Sequence, residues 1–299
     1  MERFDGKTGP KVGIFSDGTD WSMPLVDFAV AVEERGFTAL TLNEHPHIPL
    51  NSPRSQFPTG GPIPERYARY YCPYTALAFV AARTSLEVGP SVSLIAEHDP
   101  IALAKSIATL DSLSGGRLLL GIGWGWNREE FEAQGFPSNV RAQVMEEKLM
   151  LMKALWTNDV ASYKGQFVNL APSMSWPKPA SKPHPPVFGG IPRGPRNYKR
   201  LARWADGWIP MGYPASEEFG YERCKRELAQ ELEAVGRDPA TFRVISLHAD
   251  LSPSSIAQAL EHAHKFGNER ILMRVKELST KEALDTLDSI AKSVAKVLF

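Results

Sequence analysis

Hydrophobic and polar positions along this 299-residue chain follow two alternating rhythms. Short apolar runs of roughly four to eight residues read as strands buried on both faces. The stretches between them place apolar residues three and four apart, which reads as helices with one buried stripe. In order, the pattern predicts strand 12–15, helix 24–35, strand 38–42, helix 74–83, strand 86–94, helix 100–113 and strand 117–121. Two helical pieces follow, the second over 139–156. Then come strand 186–188, helix 197–204, strand 207–210, helix 217–234, strand 242–249, helix 254–266, strand 270–275 and a closing helix 281–298. Gly36 stops the first helix, Asp99 opens helix 100–113, and Gly115-Gly116 closes it. Eight strand–helix units in one α/β chain of this length fit a (β/α)8 TIM barrel, a single domain over 1–299 with parallel strands and right-handed crossovers. A doubly wound sheet would have fewer strands and a nucleotide fingerprint near its start.

Two segments break the rhythm. Residues 45–73 join the second strand to the second helix and hold seven prolines with the aromatics Phe57, Tyr67, Tyr70 and Tyr71. The segment is far longer than such a loop needs. It leaves the C-terminal mouth, where barrel enzymes keep their sites, and reads as a lid or substrate wall; an oligomer contact is the alternative. Residues 158–185 carry a hairpin pattern at 163–170 followed by the stiff Trp176-Pro177-Lys178-Pro179, a structural insertion before the fifth strand.

Charge narrows the classes of partner. Basic and acidic residues balance at 34 each, so no basic field draws the chain to nucleic acid. Cys72 and Cys224 are far apart, which fits two reduced thiols. The N-terminal residues lack an apolar signal core, and no apolar run approaches the ~18 residues of a membrane span. The expectation is a protein of the cytoplasm acting on a small molecule.

The chemistry concentrates in Gly121-Ile122-Gly123-Trp124-Gly125-Trp126-Asn127-Arg128-Glu129-Glu130. Glycines at every second position leave one edge of the strand bare, so a flat ligand can lie against it. Asn127 is a helix N-cap, and Glu130 stands three residues on in capping-box spacing. The spacing is not Gly-x-Gly-x-x-Gly, which argues against a dinucleotide site. Gly189-Gly190-Ile191, with Arg193 and Arg196 beside the next helix start, can offer backbone N–H groups and charge to a phosphate, or can be a solvated basic loop. His45, alone before Pro46, reads on residue chemistry as a loop packing residue; His47 and His98 are weaker candidates. No His, Cys or Asp cluster has metal-ligand spacing.

Taken in order, these pieces resemble one family. Glu44-His45 ends the second strand, Gly89-Pro90-Ser91-Val92 lies in the third, and Asp99-Pro100 opens helix 100–113. Asp111-Ser112-Leu113-Ser114-Gly115-Gly116-Arg117 leads into the glycine strand, and Arg203-Trp204-Ala205-Asp206-Gly207-Trp208 into the sixth. The set is similar to the luciferase-like monooxygenase superfamily, and most to its branch using coenzyme F420, a deazaflavin. The resemblance implies a (β/α)8 barrel, commonly a homodimer, with the tricyclic ring at the C-terminal mouth.

It also implies roles. His45 becomes the proton or hydrogen-bond group near the reactive ring, next to Glu44. Ser91–Val92 matches the place of a non-prolyl cis peptide whose bulge presses on one ring face. Gly123 and Gly125 let backbone approach the cofactor, and Trp124 and Trp126 supply flat walls. Sugar-phosphate dehydrogenases of the superfamily have a glutamate where Trp126 stands, so this chain is expected to take a greasier substrate. Gly189, Gly190, Ile191, Arg193 and Arg196 hold the phosphate-bearing tail. The function implied is hydride transfer between F420 and a small, apolar organic molecule. The alternatives are an FMN-dependent monooxygenase using O2 and a non-catalytic flavin-binding barrel.

Overall fold

Strands and helices alternate as the pattern requires. The computed structural model describes residues 3–299 apart from 54, 56, 59, 212–217 and 277. In chain order the elements are β1 (Lys11–Ser16), α1 (Leu25–Glu34), β2 (Ala39–Leu42), α2 (Pro73–Arg83), β3 (Glu87–Pro90), α3 (Pro100–Ser114), β4 (Leu120–Ile122), α4 (Arg128–Glu132) and α5 (Arg141–Thr157). They continue with β5 (Ala161–Lys164), β6 (Asn169–Ser173), β7 (Val187–Gly189), α6 (Pro195–Trp204), β8 (Gly207–Trp208), α7 (Glu218–Ala234), β9 (Arg243–His248), α8 (Pro253–Lys265), β10 (Arg270–Val275) and α9 (Thr280–Leu298).

The barrel strands are hydrogen-bonded in parallel in the order β3-β2-β1-β10-β9-β8-β7-β4. Parallel bridges Val88–Leu118 and Ser93–Ile122 join the two ends, so the sheet curls into a (β/α)8 barrel. Phe15, Ala39, Leu119, Phe188, Ile209, Ile245 and Leu272 fill its interior. At the N-terminal end Arg270 is fully buried; it is paired with Glu87 and donates to Thr38 Oγ1 at 2.8 Å. Where the ends meet, a Cβ on Gly89 would lie 1.8 Å from the Leu119 carbonyl oxygen, so that position admits only glycine.

The differences from the sequence pattern have local causes. The third strand stops at Pro90 instead of running to 94 because the Ser91–Val92 peptide is cis, as the resemblance implied, and the chain bulges there. It resumes as a 3₁₀ turn, Ile95–Glu97. The fourth strand starts at Leu120 instead of 117; Leu118 pairs with Val88 only as an isolated bridge, and Arg117 turns its guanidinium onto the carbonyls of Ala81 at the end of α2 and of Thr84 and Leu86 after it. The hairpin is present as the antiparallel pair β5–β6, and Glu147 accepts the backbone N–H groups of Gln166, Phe167 and Val168 at its turn.

The long loop after β2 lies across the C-terminal mouth. Thr19 bridges Tyr70, Tyr71 N–H donates to Gly18 O at 2.9 Å, and Arg66 pairs with the buried Asp17 at 3.2 Å. At its other side Ser55 donates to Glu129 and accepts from the Arg128 N–H at 2.7 Å, which anchors the loop to the start of α4. Among the described residues no helix is long and apolar enough to cross a membrane.

Candidate active site

The site is built where the ends of β2, β3 and β4 meet. Glu44, just past β2, is buried; its carboxylate accepts from Ser93 Oγ at 2.6 Å, from Leu94 N–H at 2.7 Å and lies 3.0 Å from His98 Nε2. These bonds hold the segment after the bulge against β2. Glu44 is thereby engaged inside the protein, and His98 is its partner.

His45 follows. Its Nδ1 lies 2.7 Å from Oε2 of Glu130, a side chain with 0% exposure. With Nδ1 tied, Nε2 is the nitrogen left for chemistry. Burial lowers the imidazole pKa to about 4, against the opposing pull of Glu44, so His45 is neutral at neutral pH. The ring is enclosed by Tyr67, Tyr70 and Trp126 at centroid distances of 5.3, 6.0 and 5.6 Å, and Phe57 stacks edge-on against Tyr67 and Trp126. Three of these aromatics come from the lid, so it packs directly on the candidate catalytic group.

Glu130 is the residue the capping-box spacing misassigned. Asn127 does cap α4, accepting from Glu130 N–H at 3.1 Å. The Glu130 carboxyl turns the other way, toward His45 and toward Glu97, which follows the bulge and is 4% exposed. Burial and the neighbouring carboxylates push Glu97 up to about 9; burial pushes Glu130 up to about 8. Glu97 carried no signal in the sequence: it stands between an apolar run and His98-Asp99, and only the fold brings it to Glu130.

The glycines serve the bulge first. A Cβ on Gly123 would lie 2.8 Å from Val92 Cγ2 and 3.1 Å from Gly190 O; one on Gly190 would lie 2.2 Å from Val92 Cγ1; one on Gly121 would lie 2.5 Å from Pro90 O. The isopropyl group of Val92 therefore sits in a cup made by three residues without side chains. Gly125, at φ +73°, packs against Glu97 Oε1. Ser91 is buried, its N–H donating to Leu42 O at 2.8 Å. Trp126 is half-buried beside His45.

The β7 loop needs a correction. Gly190 N–H donates to Ile122 O at 2.7 Å, so it is spent in the sheet and does not face a phosphate. A Cβ on Gly189 would strike Leu201 and Trp204; its bareness lets α6 pack closely. Ile191 is buried, and its carbonyl accepts from Trp208 Nε1 at 3.1 Å. Open backbone appears further on, at Gly194 (φ +133°), where a Cβ would meet nothing within 4 Å, flanked by the exposed Arg193 and Arg196 at the start of α6. Arg200 and Arg203, on the same helix, pair with Glu146. A separate cavity of about 470 Å³ at the opposite end of the barrel is lined by Glu87, His184, Asp206 and Arg243, away from these groups.

The arrangement is a buried proton-bearing histidine under an aromatic lid, at the mouth of a parallel barrel. The sequence model of the luciferase-like monooxygenase family matches residues 19–289, and the chain belongs to that family. The uncharacterized protein Rv0953c of Mycobacterium tuberculosis is 36% identical over 266 residues, 88% of this chain and 91% of that one. The FMNH(2)-dependent dimethylsulfone monooxygenase of Pseudomonas putida is 34% identical over 132 residues, 42% of this chain and 36% of that one. Among solved structures, an F420-dependent secondary alcohol dehydrogenase in complex with an F420-acetone adduct superposes with a TM-score of 0.76 at 15% identity, covering 97% of this chain and 99% of that one.

Proposed function

We propose that the protein is an oxidoreductase that moves a hydride between coenzyme F420 and a small, apolar organic molecule at the C-terminal mouth of the barrel. The observation that carries this reading is His45: a neutral imidazole with one nitrogen tied to Glu130 and the other left for chemistry, under a wall of Tyr67, Tyr70 and Trp126. That chamber suits a reaction that moves a hydride and a proton together and excludes water.

The residues fit the cofactor by shape and charge. Val92 in its glycine cup gives a smooth apolar face for one side of a ring. Gly194 with Arg193 and Arg196 gives open backbone and positive charge for an anionic tail. When bound, a deazaflavin supplies the hydride chemistry itself. The chain's own part is to orient both partners, exclude water and hold or move a proton at His45 Nε2. Trp126 and the lid aromatics favour a substrate without a phosphate. We read the molecule as a cytosolic protein and as a homodimer; light scattering on purified protein decides the oligomeric state.

The second reading, an FMN-dependent monooxygenase, is favoured by the likeness to the FMNH(2)-dependent enzyme over residues that include part of the barrel. Titration of the purified protein with each cofactor separates the two. Deazaflavin binding with hydride transfer supports the first; micromolar FMN binding with no deazaflavin binding replaces it with the second. Tight retention of either cofactor without turnover for any donor would leave a non-catalytic flavin-binding barrel.

A further inference from the structure

Behind His45 stand two buried carboxyl groups; among the described residues Lys148 acts on Glu97 through its charge, but neither carboxyl accepts a hydrogen bond from a lysine or arginine. Glu97 is 4% exposed and Glu130 0%. Both carboxyl oxygens of Glu97, and Oε1 of Glu130, are buried without an N–H or hydroxyl donor, and the two side chains lie in hydrogen-bond contact with each other. Two carboxylates cannot share such a place without a proton between them. The groups around them do not supply one. Lys148 on α5 lies near, but its ammonium donates to the carbonyls of Ala96 and His98 at 2.7 Å each. Glu44 adds a further negative charge from the end of β2, with His98 on it. The lid contributes the His47 backbone N–H, which donates to Glu130, and α4 contributes Glu129, which holds Ser55.

We propose that Glu97 is kept as a carboxylic acid whose O–H donates to Glu130, so that Glu130 can exchange a proton with His45 Nδ1 while His45 Nε2 serves the substrate. This deepens the hydride-transfer reading above and rests on it for the substrate step. In one state Glu130 is protonated and donates to Nδ1, and Nε2 carries the ring proton. When Nε2 gives that proton to a substrate oxygen made negative by hydride addition, Nδ1 takes the Glu130 proton. The N–H bond at Nε2 and the O–H bond on Glu130 break; an O–H bond on substrate and an N–H bond at Nδ1 form. The hydride comes from the reduced deazaflavin, and no electrons pass along the chain. Negative charge moves from the substrate oxygen to Glu130, where the Glu97 hydroxyl stabilises it; oxidation runs the same steps backward. Glu97 acts through Glu130 and is a positioning residue.

Burial raises the proton affinity of both carboxyls, which fits a proton held between them.

The test uses the full-length chain without cofactor, so it does not depend on turnover. Infrared spectroscopy of the wild type should show a protonated carboxyl band at neutral pH, and Glu97→Gln should remove part of it, leaving the Glu130 contribution that disappears as Glu130 ionises near pH 8. Nitrogen-15 NMR of His45 should show Nδ1 changing from acceptor to N–H as Glu130 ionises near pH 8. Glu97→Leu, which removes the donor, should move that change upward by about one pH unit or more, and Glu97→Gln, whose amide N–H replaces it, should restore it. Absence of the band in the wild type overturns the proposal. So does a His45 transition that stays put in Glu97→Leu; if that variant does not fold, an infrared band untouched by Glu97→Gln has the same force. Deazaflavin titration of the same samples is read separately: a chain that shows both spectroscopic signals and binds no deazaflavin loses the hydride-transfer reading and keeps the carboxyl pair.

Discussion

Replacing Gly123 by alanine tests what the glycine strand is for. The new methyl would sit 2.8 Å from Val92 Cγ2 and 3.1 Å from the Gly190 carbonyl, inside ordinary contact distance on two sides. Overpacking of this kind costs about 1–3 kcal/mol of stability. Val92→Ala removes two carbons from a half-buried side chain, and at ~0.8 kcal/mol per fully buried carbon the loss is about 1 kcal/mol. If Gly123 is bare in order to seat Val92, the double variant places the added methyl in the vacated space. It should cost about 1 kcal/mol, where simple addition gives roughly 2–4. Urea unfolding of the four proteins at matched m-values measures the coupling. Additivity to within about 0.5 kcal/mol would refute the seat. So would a Gly123→Ala protein of wild-type stability that has lost cofactor binding, because the bare edge would then serve the ligand directly.

Other outcomes follow from the site. His45→Ala should leave deazaflavin affinity within a few-fold and slow turnover by about 10²-fold, read from single-turnover kinetics; an unchanged rate makes His45 scaffold. Stability should fall as pH rises from 6.5 to about 8. Glu97 and Glu130 hold protons in the folded chain that they lose when unfolded, a stabilisation complete below the ordinary carboxyl range and lost as pH climbs through their raised values. His45, lowered from 6.5 to about 4, acts only below that window, where it makes the fold less stable as pH falls. The slope is at most ~1.4 kcal/mol per pH unit for each proton, and Glu97→Gln should reduce it in chemical denaturation at several pH values; an unchanged slope counts against the buried acid. Arg66→Ala, which leaves the buried Asp17 to Arg274 and Asn43, should speed amide exchange in the lid around Tyr67 and Tyr70 without altering exchange in β10. Gly190→Val should strike Val92, so lost stability, not lost tail affinity alone, is expected; Arg196→Ala reports on the tail by binding titration.

What could be read in the chain was what repeats or punctuates it. Apolar period placed every barrel strand to within a few residues, because most of them are buried along most of their length. Asp99 and Gly115 marked the ends of α3 because caps are local chemistry: Asp99 accepts from Ile101 and Ala102 N–H, and Gly115 takes φ +70°. The candidate site was legible only in part. His45, Trp126 and Ser91–Val92 gained their roles only through the resemblance; on residue chemistry alone His45 read as loop packing. Glu130 was read as a cap, since spacing cannot tell whether a carboxylate turns back to its own helix or across the barrel mouth. Gly190 was read as a phosphate donor, since bareness in a sequence does not say whether a ligand or a neighbouring side chain fills the space.

The two halves of that site, the glycine row and the acid pair, have one origin. The bulge after Pro90 displaces the following residues from the sheet, so Val92 falls against Gly121, Gly123 and Gly190, and the turn ending at Glu97 falls under Gly125. Each glycine of β4 and its extension answers a particular group of the neighbouring segment: Pro90 O, Val92, then Glu97. A regular third strand would have presented its side chains alternately to barrel and helices and put no carboxyl at Glu130. The same irregularity that gives the mouth an apolar face therefore also sets an acid behind His45. It follows that the spacing Gly121, Gly123, Gly125 is dictated by β3, and a glycine lost from that row should perturb the proton affinities of His45 only at Gly125, where Glu97 is the neighbour. Gly125→Ala, strained at its positive φ and 3.2 Å from Glu97 Oε1, should shift the His45 nitrogen-15 transition, while Gly121→Ala should change stability and leave that transition in place.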